Sequence, residues 1–368
     1  MKIICLKSVL TEAVTGVSKA VTARSTIPVL EGILLKTEGS HVILTGYDLE
    51  MGITTSIDAQ VLEPGEIVLS AKLFGDMVRR LDSDTIEIIS NPETLSTTIK
   101  GGITEFDIMG MNSMDYPEMP APGADPAFTI AGDTLQEMIS TTLFAVSQDD
   151  KKPAHTGELF VLENSSLTLV ALDGFRLAIC ERPVIASREI RIIIPAKTLN
   201  EVNKLIGDGN PDVSISANRR YVVFAFDGYT IMSRLLEGEF LDYKKVIPDG
   251  YTSRITVETK GFINSIERAS LIITERLKNP LRVLFDTNRV VVRCQTALGK
   301  VVDEFEAETE GDKVEIGFNN RYLLDALRNC GRDKVVFEIN GALSPIKVLP
   351  SDGTDFIFLV LPVRFKND

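Results

Sequence analysis

The segment LDGFRLAI, residues 172–179, places a large aromatic side chain and a guanidinium directly after an Asp-Gly pair. An Asp-Gly pair between two apolar segments is typical of a tight β-hairpin. The pattern therefore predicts two strands, TLVAL and RLAIC, joined by a turn at Asp173 and Gly174. It explains the turn, but it gives no reason for Phe175 and Arg176 to follow it.

Residue types that carry out catalysis or bind metals lack the required spacing in this chain. The four cysteines form no C-x-x-C pair, and neither His41 nor His155 has a nucleophile or metal ligand near it in sequence. Motifs of phosphate loops, dinucleotide sites, zinc proteases and serine hydrolases are absent. The sequence predicts no catalytic site, metal or cofactor. An enzyme with an active site between repeats is the alternative, using Asp48 and Asp173, although both fit hairpin turns.

The chain of 368 residues is long enough for two or three domains, and we expect three. Its hydrophobic content of 44% and charged content of 25% are ordinary for a soluble globular protein. It contains no apolar run of about 18 residues, the length that could cross a bilayer, and its first residues lack the features of a secretory signal. We therefore expect a cytoplasmic protein without a membrane partner.

Three helix-length segments share one pattern. Each has apolar side chains at i, i+3, i+4 and i+7 and a basic residue near its start. The segments are AKLFGDMVRRL at 71–81, AKTLNEVNKLI at 196–206 and NRYLLDALRNC at 320–330. Their separation of roughly 125 residues indicates a threefold internal repeat.

Other elements recur with the same step. A second helical segment appears as LTEAVTGVSKAV from residue 10, LQEMISTTLFAV from residue 135 and FINSIERASLII from residue 262. Each repeat also has a hairpin between its two helices and a strand that closes it. The pattern predicts an α+β fold of three repeated domains, each with two helices packed on antiparallel sheets. Pro/Gly-rich stretches at 119–127 and 247–253 mark their boundaries, giving domains 1–121, 128–249 and 250–368.

The net charge of −13, taken alone, argues against binding to nucleic acid. The charges are segregated, however. Basic residues recur on the exposed sides of the predicted helices, whereas acidic runs such as DEFEAETEGD at 303–312 fall in strands and loops. An acidic total can therefore accompany a basic helical surface. A repeat scaffold that binds proteins and no nucleic acid is the second alternative.

Four separated motifs carry a resemblance to a known family. They are RSTIPVLEGILL at 24–35, LDGFRLA at 172–178, SRLLEGEFLDYKKVIP at 233–248 and LPVRF at 361–365. In this order and spacing the chain resembles the bacterial sliding clamp, the beta subunit of DNA polymerase III. The resemblance implies three DNA-clamp domains and a head-to-tail homodimer. This ring would encircle and slide along duplex DNA as a polymerase processivity factor, with no catalytic site and no cofactor.

The implied ring has dimensions that suit DNA. Two helices from each of six domains give twelve, and at about 10 Å per helix their axes form a ring about 38 Å across, with a lumen of roughly 28 Å. A duplex about 20 Å wide passes through such a lumen with a layer of water. Weak positive potential inside and acidic charge outside would favour sliding over tight phosphate binding.

The resemblance also implies a pocket for a short peptide, carried by the replicative polymerase, the clamp loader and repair proteins. An apolar slot with a few donors suits a peptide with a Leu-Phe anchor. The positions that match the family's pocket are Leu172, Gly174, Phe175, Arg176, Leu177, Leu241, Lys245, Val246, Val360, Leu361, Pro362, Val363 and Arg364. Among the positions where the chain departs from the family's common residues, Phe175 replaces His, Leu172 replaces Thr, Leu241 replaces Pro and His155 replaces Leu.

Two further surfaces follow from the same resemblance. The residues expected to face DNA are Lys19, Arg24, Lys72, Arg79, Arg80, Gln148, Lys151, Lys152, Lys197, Lys204, Arg268, Arg321 and Arg328. At the interface between copies we expect the closing strand of the first repeat to contact the third repeat. The residues expected there are Phe106, Ile108, Leu271, Ile272, Asp303, Glu304 and Glu306.

Overall fold

The computed structural model describes residues 1–120, 126–274 and 279–364. The helices in these ranges are α1 Lys7–Val17, α2 Ala71–Arg80, α3 Gly132–Thr142, α4 Ala196–Ile206, α5 Thr259–Ser270 and α6 Asn320–Arg328. The predicted linker 119–127 and the chain end 365–368 lie partly or wholly outside the described residues, and the predicted domain bounds stay a prediction.

The strands are numbered in chain order. The strands before α4 are β1 Lys2–Leu6, β2 Gly32–Glu38, β3 His41–Tyr47, β4 Met51–Asp58, β5 Gln60–Glu63, β6 Glu66–Ser70, β7 Thr85–Ser90, β8 Ser96–Gly101, β9 Thr104–Met109, β10 Phe128–Ala131, β11 Gly157–Glu163, β12 Ser166–Leu172, β13 Arg176–Pro183 and β14 Ile190–Pro195. The later strands are β15 Asp212–Ala217, β16 Tyr221–Phe226, β17 Tyr229–Arg234, β18 Ser253–Glu258, β19 Leu281–Asp286, β20 Arg289–Thr296, β21 Gly299–Glu306, β22 Glu308–Gly311, β23 Val314–Phe318, β24 Lys334–Ile339, β25 Ile346–Pro350 and β26 Phe356–Val360.

Tertiary contacts divide the chain into two compact units. The first unit comprises Met1–Asp133 and Asn200–Leu235. It contains a five-stranded sheet of order β5-β1-β7-β8-β9 and an eight-stranded sheet of order β10-β15-β16-β17-β4-β3-β2-β6. The core around the eight-stranded sheet includes Leu30, Val68 and Met232.

The second unit comprises Thr134–Leu199 and the described residues from Leu236 onward. It contains a nine-stranded sheet of order β14-β11-β12-β13-β26-β25-β24-β18-β22 and a four-stranded sheet of order β21-β20-β19-β23. Apolar clusters cover both faces of the nine-stranded sheet. Neighbouring residues of β12 point to opposite faces, so Val170 belongs to one cluster and Ala171 to the other. This explains why residues 169–172 of β12, LVAL, form a continuous apolar run.

The helices predicted from apolar periodicity are confirmed, with changes at their ends. In α2 the buried residues Ala71, Phe74, Gly75 and Val78 follow the spacing that the sequence indicated. The helices α1, α3 and α5 begin three residues before the predicted starts, because β1, β10 and β18 lead directly into them. After α1 and α3 the chain tightens into single 3₁₀ turns, Ser18–Ala20 and Leu143–Ala145, which the periodicity could not distinguish from α-helix.

Each predicted hairpin lies between the two helices of its repeat, and each closing strand is present. The hairpins are β3–β4, β12–β13 and β20–β21, and the closing strands are β9, β17 and β26. The closing strand β17 pairs antiparallel with β4, the second hairpin strand of the repeat before it. In the same way β26 pairs with β13. The closing strand of one repeat therefore completes a sheet of the preceding repeat, an arrangement that the sequence analysis did not predict.

Candidate functional site

The hairpin at Asp173 is confirmed, and its turn is held by one carboxylate. Leu172 pairs with Leu177 across the strands, and Gly174 adopts a positive φ of 91°. The Asp173 Oδ1 atom accepts hydrogen bonds from the backbone N–H groups of Phe175, at 2.8 Å, and Arg176, at 3.0 Å. This turn leaves the Phe175 side chain 57% exposed at the end of the hairpin.

The Arg176 side chain is only 11% exposed, and two of its nitrogen atoms donate to carboxylates within the protein. Its Nε atom donates to Asp173 Oδ2 at 3.0 Å, and its Nη1 atom donates to the Asp325 carboxylate on α6. The guanidinium carbon lies 4.7 Å from the ring centre of Tyr322 and 5.4 Å from that of Phe144. Arg176 therefore joins the hairpin to α6 and does not extend into solvent.

A groove with a volume of about 430 Å³ begins beside the hairpin. The Phe175 ring stacks on Tyr322, with ring centres 5.8 Å apart and planes inclined by 21°. Tyr322 and Val363 both line the groove, together with Ile273, Asn320 and other residues. Sequence reasoning missed Tyr322 and Asn320, although a tyrosine on the partly exposed side of the amphipathic segment 320–330 was a usable signal.

The C-terminal tail contacts the hairpin directly. The Leu361 N–H donates to the Phe175 carbonyl at 2.9 Å, and the Val363 N–H donates to the Gly317 carbonyl at 2.8 Å. Leu361 and Val363 keep exposed side chains, as does Arg364, whereas Pro362 is half-buried. The tail thus runs from the hairpin end toward β23 with apolar side chains on its surface.

Three predicted pocket residues lie in the core. Leu172 and Leu177 are buried in one cluster with Leu359, a tail residue that the sequence analysis missed. Val360 is fully buried in the cluster on the other face of the sheet. Neighbouring residues of a strand point to opposite faces, so Leu359 and Val360 cannot serve the same cluster. Leu359, the strand partner of Leu177, is the residue that packs with Leu172 and Leu177.

The segment 240–246 is anchored to the same cluster. Phe240 and Tyr243 are buried in it, and the Phe240 ring meets His155 edge-to-face at 5.5 Å. Burial, aided by the charge of Lys152, lowers the pKa of His155. The predicted residues of the segment are on the surface: Leu241 and Val246 are exposed, and Lys245 pairs with Asp242 at 2.9 Å.

Every predicted DNA-facing residue is exposed. In the first unit these are Lys19, Arg24, Lys72, Arg79, Arg80 and Lys204. In the second unit they are Gln148, Lys151, Lys152, Lys197, Arg268, Arg321 and Arg328. Carboxylates partly neutralise this basic charge, as in the ion pairs Arg79–Asp76, Lys204–Glu201, Arg268–Asp303 and Arg328–Glu267. The resulting positive potential is weaker than a count of basic residues suggests.

The predicted interface residues lie at two sheet edges. Phe106 and Ile108 are half-buried on β9, the edge strand of the five-stranded sheet in the first unit. In the second unit the side chain of Leu271 is 81% exposed, and Ile272 packs against the main core. The remaining predicted residues, Asp303, Glu304 and Glu306, are on β21, the edge strand of the four-stranded sheet.

The carboxylates considered for an enzyme hold turns. Asp48 Oδ1 accepts from the backbone N–H groups of Glu50, at 3.0 Å, and Met51, at 2.7 Å, and Asp173 has the equivalent role in its own hairpin. Among the described residues, no group of three or more His, Cys, Asp or Glu side chains could hold a metal ion. No helix in the described ranges is long and apolar enough to span a membrane.

Comparisons with known proteins agree along the whole chain. Family models for the N-terminal, central and C-terminal domains of the DNA polymerase III beta subunit match residues 1–120, 129–242 and 244–364. The chain is 32% identical to the beta sliding clamp of Staphylococcus epidermidis, over 94% of each chain. It is also 32% identical to that of Halalkalibacterium halodurans, over 97% of this chain and 98% of the relative. The solved sliding clamp of Bacillus subtilis superposes with a TM-score of 0.96 at 31% identity, covering 100% of both chains. The chain therefore belongs to the family of DNA polymerase III beta subunits, the bacterial sliding clamps.

Proposed function

We propose that two copies of this chain join head to tail into a ring that encircles duplex DNA and tethers the polymerase to it. One observation carries the proposal. Within the chain, the closing strand of the second repeat, β17, pairs with the second hairpin strand of the first repeat, β4. In the same way the closing strand of the third repeat, β26, pairs with the second hairpin strand of the second repeat, β13. The first closing strand, β9, and the last hairpin strand, β21, are edge strands within the described residues. An exposed edge strand presents unpaired backbone N–H and C=O groups that can bond to another strand. The β9 strand of one copy can therefore pair with the β21 strand of the other.

The two internal junctions define the register of the third. In both, the first residue of the closing strand pairs with the fifth residue of the hairpin strand, as in Tyr229 with Thr55 and Phe356 with Cys180. The third residues pair with each other. Applied to β9 and the partner copy's β21, this rule sets Thr104 opposite Asp303 and Phe106 opposite Val301.

The side chains at the two edges support this pairing. At the junction of β13 with β26, Phe144 after α3 meets Phe358 edge-to-face, with ring centres 5.2 Å apart. The corresponding positions in the repeats are Leu271 after α5 and Phe106 in β9. Both are apolar, and Leu271 is almost fully exposed in the single copy. A contact between them would cover this side chain, as burial of apolar surface favours.

A disulfide tests the register. By the same rule Glu105 faces Val302, and both side chains are exposed. Antiparallel partners lie about 4.5–5.5 Å apart between Cα atoms, which suits a disulfide. The native cysteines are all buried, so mild oxidation of Glu105→Cys/Val302→Cys is confined to the introduced pair. We expect a covalent dimer on a non-reducing gel.

The matched control is Glu105→Cys/Glu306→Cys, because residue 306 lies on the same side of β21, four residues or about 13 Å along the strand. Equal cross-linking in both variants would contradict the register. Retention on circular DNA with loss from linear DNA then tests encirclement, since only a closed ring slips off free ends. Equal retention on both would contradict the proposed function.

We further propose that the ring acts without catalysis, in the cytoplasm, and that partners bind through a short peptide. The exposed apolar side chains near the hairpin end, namely Phe175, Leu361 and Val363, form the wall of this site, and Tyr322 lines its groove. Replacing Leu361 by Asp should greatly weaken binding of a labelled peptide ending in Leu-Phe. Leu343→Asp, which changes another exposed leucine of the same unit, is the control. Unchanged binding in both variants would contradict the site.

A further inference from the structure

Arg176 donates hydrogen bonds to two carboxylates that have different structural roles. Asp173 uses its Oδ1 atom to hold the turn, which leaves its Oδ2 atom for Arg176 Nε. Asp325 lies on α6, a separate element 149 residues away in sequence, and binds Arg176 Nη1. The side chain of Asp325 is 37% exposed, whereas Asp173 and Arg176 are 12% and 11% exposed. Asp325 is therefore the charged group that connects the turn to the helix.

The same helix supports the exposed ring of the hairpin. Tyr322, one turn before Asp325 on α6, stacks on Phe175 and also lies under the Arg176 guanidinium. The backbone of the hairpin end is tied in turn to the tail, because the Phe175 carbonyl accepts from the Leu361 N–H at 2.9 Å. The position of Phe175 relative to the groove thus depends on how the hairpin is fixed to α6.

We infer that Asp325 is a positioning residue of the partner-peptide site, which holds Phe175 in place through Arg176. The inference rests on the proposed function, since it concerns the same site. It gives Arg176 a structural role, because its Nε and Nη1 atoms donate to Asp173 and Asp325 within the protein. A charge-assisted pair has strict geometry, so an amide in place of the carboxylate would bind the guanidinium more weakly.

The test uses fluorescence anisotropy of a fluorescein-labelled peptide ending in Leu-Phe, with the full-length protein. We expect Asp325→Asn to raise the peptide Kd roughly tenfold, because hydrogen bonds between charged partners are the stronger ones. Glu267→Gln is the matched control, because it removes the carboxylate of an ion pair between α5 and α6, Arg328–Glu267 at 2.6 Å. Its peptide Kd should equal that of the wild type.

A double-mutant cycle with Phe175→Ala separates positioning from a general loss of stability. If Asp325 acts by placing the ring, Asp325→Asn should have little further effect once the ring is absent. An equal tenfold loss in both backgrounds would overturn the inference, and so would wild-type affinity in Asp325→Asn. Thermal unfolding of each variant checks that the fold is retained.

The outcomes distinguish this inference from the proposed function. A wild-type protein that does not bind the peptide would overturn the partner-peptide site itself. Wild-type binding combined with unchanged binding by Asp325→Asn would overturn only the role of Asp325. Asp325→Glu, which keeps the charge, should restore most of the affinity that Asp325→Asn loses.

Discussion

Because the carboxyl group of Glu158 is buried, we expect it to make the free energy of unfolding fall as pH rises. Glu158 is fully buried on β11, and its Oε1 atom lies 3.0 Å from the hydroxyl of Thr142 at the end of α3. Its Oε2 atom has no hydrogen-bond partner among the described residues. Burial raises the pKa of Glu158 well above its ordinary value, and the hydrogen bond from Thr142 opposes this only partly.

The sign and size of the effect follow from proton linkage. In the unfolded chain a glutamate loses its proton near pH 4.3, whereas the folded protein keeps the proton on Glu158 to higher pH. Between these two pKa values the unfolded state binds fewer protons, so the free energy of unfolding falls as pH rises. The limiting slope for one such group is about 1.4 kcal/mol per pH unit.

Glu158→Gln removes this slope because an amide does not titrate in the range. The amide oxygen can still accept from Thr142, but the new NH₂ group lacks partners and costs about 1–3 kcal/mol at every pH. The diagnostic quantity is therefore the slope of the stability difference between variant and wild type. Urea unfolding at pH 5, 6, 7 and 8, at one protein concentration, measures it. We expect the variant to gain stability relative to the wild type as pH rises.

Two controls isolate the effect of Glu158. Because the pKa of His155 is lowered in the folded protein, its contribution to the free energy of unfolding rises with pH, opposite to that of Glu158. Both proteins contain His155, so this contribution cancels in the stability difference. Glu239→Gln changes an exposed glutamate and should leave the pH profile unaltered. If wild type and Glu158→Gln have parallel profiles from pH 5 to pH 8, the carboxyl group is already ionised in the folded protein and the reasoning is wrong.

Three further predictions concern reactivity, charge and backbone geometry. Burial raises the pKa of the Cys180 thiol to about 12, so mass spectrometry after alkylation at pH 8 should find Cys180 unmodified until the protein unfolds. Arg24→Glu with Lys152→Glu should weaken loading on circular DNA far more than dimerisation, measured by ultracentrifugation; equal losses would contradict a DNA-facing role. Gly311 has a φ of +93°, and a Cβ there would lie 2.1 Å from the Thr252 carbonyl oxygen. Gly311→Ala should therefore lower the free energy of unfolding by about 2 kcal/mol or more in urea titrations, and an unchanged midpoint would refute this strain.

The helices were predictable because their signal is local. The apolar period of α4 gave its bounds, Ala196–Ile206, as the structure has them. The start of α1 was less accessible: Leu6 precedes it without a side-chain cap, so the sequence offers no start signal there. At α6, by contrast, the Asn319 side chain accepts from the Arg321 N–H, and the predicted start is correct.

Strand pairing between repeats was not predictable in this way. The Asp-Gly pair predicts the hairpin at 172–177, because all the residues that determine this hairpin lie close together in sequence. The strand that pairs with β13, β26, lies nearly half the chain length further along the sequence. Asp325, the partner of Arg176 on α6, is 149 residues away in sequence. Contacts of this kind depend on the packed fold and leave no local pattern. Family resemblance could suggest the pocket positions, but it could not reveal that Val360 faces the opposite core.

The repeated junction also indicates where the proposed ring is weakest. Two of its strand junctions lie within each chain, and one of these carries the edge-to-face pair Phe144–Phe358. At the proposed junction between copies the corresponding contact would be Leu271 with the partner's Phe106, without the aromatic contribution of about 0.5–1.5 kcal/mol. No covalent linker joins the two copies, so separating them meets no constraint from the chain. We therefore expect the proposed ring to open with least cost between β9 of one copy and β21 of the other.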